Sequence, residues 1–166
     1  MRKGHSFIYC GEGKGKTTQA IGQGIRAVGN DLTVIMIQFL DYNNNKDFVT
    51  LKNLEPEFKI FRFEKDRINI EFIDENERKE IRSEILNGFN FSKKILETGE
   101  CDMLILDGIL DAITEGFVDE SELYELMMKR SKNMDIIITG EKLYNSIAEI
   151  SDAVYMINTV KKLELE

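Results

Sequence analysis

The sequence has no tryptophan, a single histidine, a single proline and two cysteines in 166 residues. Cys10 and Cys101 lack CxxC or similar spacing, which excludes a disulfide framework or structural zinc site and fits a reducing compartment. Pro56 and twelve scattered glycines form no Pro/Gly/Ser-rich linker, so residues 1–166 are expected to be one domain. Positive charge is also scarce: 22 Lys and Arg face 30 Asp and Glu, a formal net charge of −8. Non-specific nucleic-acid binding needs clustered cations to displace counterions, and this composition disfavours it. No apolar run approaches the roughly 20 residues that span a bilayer. The first one, Phe7 to Cys10, is too short for a signal peptide, and the C-terminal Leu-Glu-Leu-Glu carries no lipidation motif. A cytoplasmic protein with no nucleic-acid or membrane partner is expected.

What is present is a globular composition, 42% hydrophobic and 31% charged. Five short apolar runs, rich in β-branched or aromatic residues, read as strands: Phe7 to Cys10, Leu32 to Leu40, Met103 to Leu106, Met134 to Ile138 and Ala153 to Ile157. Near-continuous apolar runs indicate strands buried on both faces, as in a parallel sheet covered by helices. Phe58 to Phe63 alternates apolar with basic residues, which suggests an edge strand. Helical spacing fills the gaps. Ile21, Ile25 and Val28 precede Gly29 as a C-cap, and a long segment from Asp74 to about Gly99 carries Ile81, Ile85, Phe89 and Leu96 on one face. Another helix starts near Asp119, with Leu123, Leu126 and Met127 inward. Alternating strands and helices predict an α/β fold, a three-layer sandwich around a mainly parallel sheet.

Between the first strand and its helix lies Gly11-Glu12-Gly13-Lys14-Gly15-Lys16-Thr17-Thr18. Glycines let such a loop wrap with its N–H groups inward, so that they and the helix N-terminus surround a polyphosphate. Lys16 adds a full charge, and the Thr17 hydroxyl is placed for a phosphate-bridging Mg2+. The common Walker form has a glycine five residues before Gly15, where this chain has Cys10. Met103-Leu104-Ile105-Leu106-Asp107 reads as a second strand ending in a carboxylate with a metal or metal-water role. Both features are expected at the carboxyl ends of parallel strands, where open α/β sheets bind ligands.

With its short loop, Cys10-Gly11-Glu12-Gly13-Lys14-Gly15-Lys16-Thr17-Thr18, the sequence resembles the ATP:corrinoid adenosyltransferases of the CobA/CobO/BtuR type. Arg26-Ala27-Val28-Gly29, Gln38-Phe39, Leu106-Asp107, Gly116, the acidic helix from Asp119 to Arg130 and Thr139-Gly140 continue the likeness in order, over about residues 4 to 160. The resemblance implies a P-loop NTPase fold of the RecA-like kind and transfer of the 5′-deoxyadenosyl group of ATP to Co(I) of a reduced corrinoid, with tripolyphosphate leaving. Carried over, Gly11, Glu12, Gly13, Lys14, Gly15, Lys16, Thr17 and Thr18 bind ATP and Arg26 adds charge to the triphosphate. Lys16 and Asp107 are the catalytic candidates, and Thr17 and Asp107 the Mg2+ ligands. Homodimerisation and a flavoprotein reductant are likewise implied.

The chain departs from the family pattern in four places. Gly108 stands where relatives carry a metal-binding glutamate, Glu141 where they carry an arginine, and Leu40-Asp41 where a lysine follows Gln-Phe; the sequence stops at Glu166 without the longer members' glycine-containing tail. Asp111 or Asp41 could substitute in the metal site. A non-catalytic ATP-binding homologue, acting as a regulatory or partner subunit, is therefore a second reading. A small-molecule kinase or ATPase is a third, weakened by the lack of a general base near the loop. Phe58, Phe61, Phe63, Phe72, Phe89 and Phe91 could wall a corrinoid pocket, though core packing explains most of them. Asp41 to Glu55 reads as a lid or a solvated loop, while His5 and Cys10 read as a strand-end side chain and a small core residue.

Overall fold

A computed structural model of the chain describes residues 2–40, 48–67 and 73–164. The strands are β1 (Ser6–Cys10), β2 (Val34–Gln38), β3 (Phe58–Arg62), β4 (Met103–Asp107), β5 (Asp135–Thr139) and β6 (Ala153–Met156). All observed pairings are parallel, in the order β3-β2-β4-β5-β1-β6. The helices are α1 (Lys16–Val28), α2 (Phe48–Leu51), α3 (Glu75–Thr98), α4 (Ile109–Thr114), α5 (Glu120–Met128) and α6 (Asn145–Glu149).

Continuous apolar strands give the sheet two dry faces, because successive side chains alternate sides. Ile35, Ile37, Leu104, Leu106, Ile136 and Ile138 point into one core, shared with α3, α4, α5 and α6. Val34, Met36, Met103, Ile105 and Ile137 point into the other, beneath α1. The three-layer α/β sandwich expected from the sequence is thus present, with the sheet parallel in every described pairing. β3 lies at an edge, as its basic alternation predicts, and β6 is the opposite edge.

Helix α3 follows its sequence signals closely. The Asp74 carboxylate accepts from the Glu77 amide at 2.8 Å, and Gly99 closes the helix in the left-handed region at φ 66°. Ile81, Ile85 and Phe89 are fully buried, each such side chain contributing about 1.5–3 kcal/mol of transfer free energy. Helix α1 departs from expectation. Its buried face is Ala20, Gly24 and Ala27, and Ile25 is 45% exposed. The reason is proximity: a Cβ on Gly24 would come within 2.4 Å of the Phe58 ring, so small residues face the sheet and the larger Ile21 and Val28 flank the contact. The second strand is shorter than the run Leu32 to Leu40, since Leu40 turns out of it with φ 54°.

Of the region read as a lid, residues 41–47 lie outside the described residues; the rest forms α2 and a 3-10 turn at Lys52–Leu54. Phe72 also lies outside them. Phe58 and Phe89 are buried in opposite cores, whereas Phe61, Phe63 and Phe91 form a half-buried aromatic cluster with ring separations of 4.9 and 5.4 Å about Phe91.

Candidate functional site

Register brings polar residues from separate strands to one end of the sheet. Gln38 lies level with Asp107, and Tyr9 level with Thr139, so the carboxyl ends of β2, β4, β5 and β1 meet beside the loop that leaves Cys10. That loop is shaped by glycine. Gly11 and Gly15 have φ of 105° and 110°, a region costly for other residues. A Cβ on Gly11 or Gly13 would lie 2.4 or 2.7 Å from the Ile157 carbonyl oxygen. The Gly11 N–H donates to the Glu141 carbonyl at 2.9 Å, the Gly13 N–H to the Ile157 carbonyl at 2.8 Å, and the Ile157 N–H to the Cys10 carbonyl at 2.8 Å. The loop is therefore fixed by backbone contacts on two sides.

Above it, the Lys16 ammonium donates to the carbonyls of Gly11 at 2.7 Å and Gly13 at 2.9 Å. Gly15 caps α1 without a side-chain bond, and no acidic residue occupies the first turn. A thirteen-residue helix with an uncapped N-terminus and an adjacent ammonium attracts a polyanion through its first-turn N–H groups.

Opposite lies the Asp107 carboxylate, 4% exposed. The Thr17 hydroxyl donates to it at 2.9 and 3.0 Å, the Thr139 hydroxyl at 2.7 Å, and the Gln38 amide nitrogen at 3.3 Å. The Thr139 hydroxyl in turn accepts from the Gly108 N–H at 2.8 Å. Gln38 is 2% exposed, and its Oε1 has no hydrogen-bond partner among the described residues. Thr17 Oγ1, the Asp107 carboxylate and that orphaned oxygen are hard neutral or anionic oxygens, the donor chemistry that suits Mg2+. Among the described residues no group of three or more His, Cys, Asp and Glu could hold a metal ion. A cation here would share its shell with phosphate, as Mg2+ commonly does.

The residues that depart from the resembled pattern have physical settings. Gly108 adopts φ 81°, and a Cβ there would lie 2.3 Å from the Phe39 carbonyl oxygen, so the backbone excludes any side chain. Glu141 is exposed and works through its backbone: its N–H donates to Asp111 Oδ1 at 2.8 Å while its carbonyl holds Gly11. Burial pushes the Asp111 carboxyl up, the Glu141 and Asp107 charges add to this, and the Glu141 N–H and Lys16 oppose it. Burial likewise raises the thiols of Cys10 and, to about 12, Cys101, so both are protonated core groups.

Lys16, Thr17 and Asp107 are thus brought together, with Gly11, Gly13 and Gly15 shaping the cradle and Glu12, Lys14 and Thr18 on its exposed rim. Arg26 sits exposed in the last turn of α1, about 15 Å along the axis from Lys16 at the usual helical rise, apart from the loop residues. Asp41 lies outside the described residues. The contacts of Gln38 and Thr139 with Asp107 and the link from Asp111 to the loop were not read from the sequence. Each polar residue ending an apolar run was a signal, but their convergence depends on cross-strand register.

The family model for ATP:corrinoid adenosyltransferase BtuR/CobO/CobP matches residues 2–164. The corrinoid adenosyltransferase of Escherichia coli strain K12 is 26% identical over 162 residues, covering 96% of this chain and 79% of that protein. Corrinoid adenosyltransferase CobA of Salmonella typhimurium is 24% identical with the same coverage. Among solved structures, a KaiC-like protein from Pyrococcus horikoshii OT3 superimposes with a TM-score of 0.61 at 15% identity, covering 97% of this chain and 75% of that one, a likeness of fold.

Proposed function

The chain belongs to the ATP:corrinoid adenosyltransferase family, and from that premise we propose that it moves the 5′-deoxyadenosyl group of ATP to Co(I) of a reduced corrinoid, releasing tripolyphosphate. The convergence of Lys16, Thr17 and Asp107 at the mouth of the glycine loop carries this reading. Co(I) is the nucleophile: its electron pair forms the bond to C5′ as the C5′–O bond breaks and the electrons leave with tripolyphosphate. The protein need supply no nucleophile or general base, only orientation, charge stabilisation and exclusion of water.

Lys16 is already directed at the loop carbonyls, and on binding exchanges them for phosphate oxygens, placing its charge on the leaving group. The loop and α1 N–H groups hold the triphosphate in the sense that leaves C5′ facing the corrinoid. Thr17 and Asp107 are the residues that would hold Mg2+, which neutralises phosphate charge when bound. Thr139 and Gln38 keep the Asp107 carboxylate aimed at Thr17. Half-buried Phe61, Phe63 and Phe91 offer apolar surface to the corrin ring. A cytoplasmic homodimer served by a flavoprotein reductant completes the reading; sedimentation and reconstitution with a reduced flavoprotein test those two parts.

Two features favour a second reading, an ATP-binding homologue acting as a regulatory or partner subunit: Gly108 leaves no room for a side chain where the resemblance implies a glutamate, and Glu141 places an anion where it implies a cation. Anaerobic mixing with Mg-ATP and chemically reduced cobalamin, followed by absorbance, separates the two. Conversion to adenosylcobalamin that is lost in Lys16→Ala supports the transferase. ATP binding that needs Lys16 but yields no conversion supports the binding homologue.

A further inference from the structure

Gln38 ends β2 as a polar residue after an all-apolar run, and its side chain is 2% exposed. Nε2 donates to Asp107 Oδ2 at 3.3 Å, which fixes the orientation of the amide, because Oε1 in that place would oppose a carboxylate. Oε1 lies about 2.2 Å from Nε2 by amide geometry, close to Asp107, and has no partner among the described residues. An acceptor stripped of water and left unpaired is unfavourable, so its presence beside a carboxylate and the Thr17 hydroxyl points to a donor that arrives with a ligand. A hydrated divalent cation supplies one, since Mg2+ retains several waters when held by a carboxylate and phosphates.

We propose that Gln38 is a positioning residue for the cation of the metal–triphosphate complex, its Oε1 accepting a hydrogen bond from a water on that cation while Nε2 orients Asp107. The inference rests on the reading of the loop as a metal–triphosphate site. Gln38 offsets the missing carboxylate at Gly108, where the backbone leaves no space for a ligand. Partners in the second shell of a metal commonly govern affinity about 10- to 100-fold.

The test is Mn2+ binding in the presence of inorganic tripolyphosphate, followed by electron paramagnetic resonance on the full chain, without corrinoid or turnover. Gln38→Met, similar in size but without the amide, is expected to bind Mn2+ about 10- to 100-fold more weakly. Gln38→Glu loses the Nε2 donor but keeps an acceptor and adds a negative charge beside the cation, which outweighs the lost bond to Asp107, so it is expected to bind at least as tightly as the natural protein. Equal affinity in Gln38→Met, or an equal fall in both variants, overturns the role of Gln38 alone. Should Gln38→Met fail to fold, Gln38→Glu decides: retained affinity supports the role and reduced affinity overturns it. No Mn2+ uptake by the natural protein with tripolyphosphate overturns the underlying site reading as well.

Discussion

The two banks of the proposed triphosphate site obey different constraints. On one, the loop from Gly11 to Thr17, the three glycines are set by backbone: positive φ at Gly11 and Gly15, and close approach to Ile157 at Gly11 and Gly13. On the other, formed by Asp107 to Asp111 and Thr139 to Glu141, hydrogen bonds fix the backbone while Gly108 and Glu141 depart from the pattern that the sequence resemblance implies. Glu141 shows how this is possible. Its amide and carbonyl perform the structural work, joining Asp111 to the loop, so its side chain is exempt from it. Geometry here is thus held by contacts indifferent to side-chain identity, which leaves the charge at Glu141 free of a structural duty.

The largest expected effect lies on the loop bank. Lys16→Ala removes the charge aimed at the phosphates and is expected to cost on the order of 10²–10³-fold in turnover. A drop in the anaerobic cobalamin assay of less than tenfold would show that the loop is not the place where leaving-group charge is met. Next comes Gly108, the point on the opposite bank where backbone does dictate the residue. Gly108→Ala should lose about 1–3 kcal/mol through the left-handed φ and the close Phe39 oxygen, lowering the thermal midpoint roughly 5 °C. Gly108→Glu, which restores the family's residue type, is expected to fall at least as far and to gain no Mn2+ affinity. A stable Gly108→Glu protein that binds Mn2+ more tightly would make the two banks alike in tolerating side-chain exchange.

Much of this was legible beforehand because it is local. The loop glycines, Lys16 and Thr17 are contiguous, and α3 announces its ends through Asp74 and Gly99. What stayed hidden depends on how elements meet. That Ala20, Gly24 and Ala27, not Ile25, face the sheet follows from the position of the Phe58 ring on another strand. Arg26 lies at the far end of α1 from the loop because a straight helix carries its last turn away from its first, a separation that a sequence pattern does not display. The shared contact of Gln38, Thr139 and Thr17 with Asp107 required the β2, β4 and β5 registers. Short α4 and α6 were also missed, each too brief to display a repeating apolar face.

A smaller effect is expected at the exposed charge of Glu141. Glu141→Arg returns a cation to the rim without disturbing the backbone bonds, and should tighten tripolyphosphate binding about two- to fivefold, the scale of an exposed ion pair. Titration calorimetry at low and high salt checks this, because screening should erase the gain. An unchanged affinity at low salt would place the side chain outside the field of the bound phosphates.

The smallest effect concerns Asp111, which couples the banks. Burial holds its carboxyl above the ordinary carboxylate range, so the folded protein binds this proton more tightly than the unfolded chain does. The resulting stabilisation is full below the ordinary value and is lost as pH rises through the raised one. Above that raised value the charged Asp111 side chain is retained at a cost, in return for a bond to the Glu141 amide that a neutral carbonyl could also accept. Asp111→Asn should accordingly melt slightly above the natural protein at neutral pH and together with it in acid. A midpoint difference that stays constant across that pH range would show that burial of the charge is not what sets it. If Asp111→Asn instead melts lower at neutral pH, the charge itself strengthens the link to Glu141 and through it to Gly11, and the opposite bank would then hold the loop by electrostatics as well as by geometry.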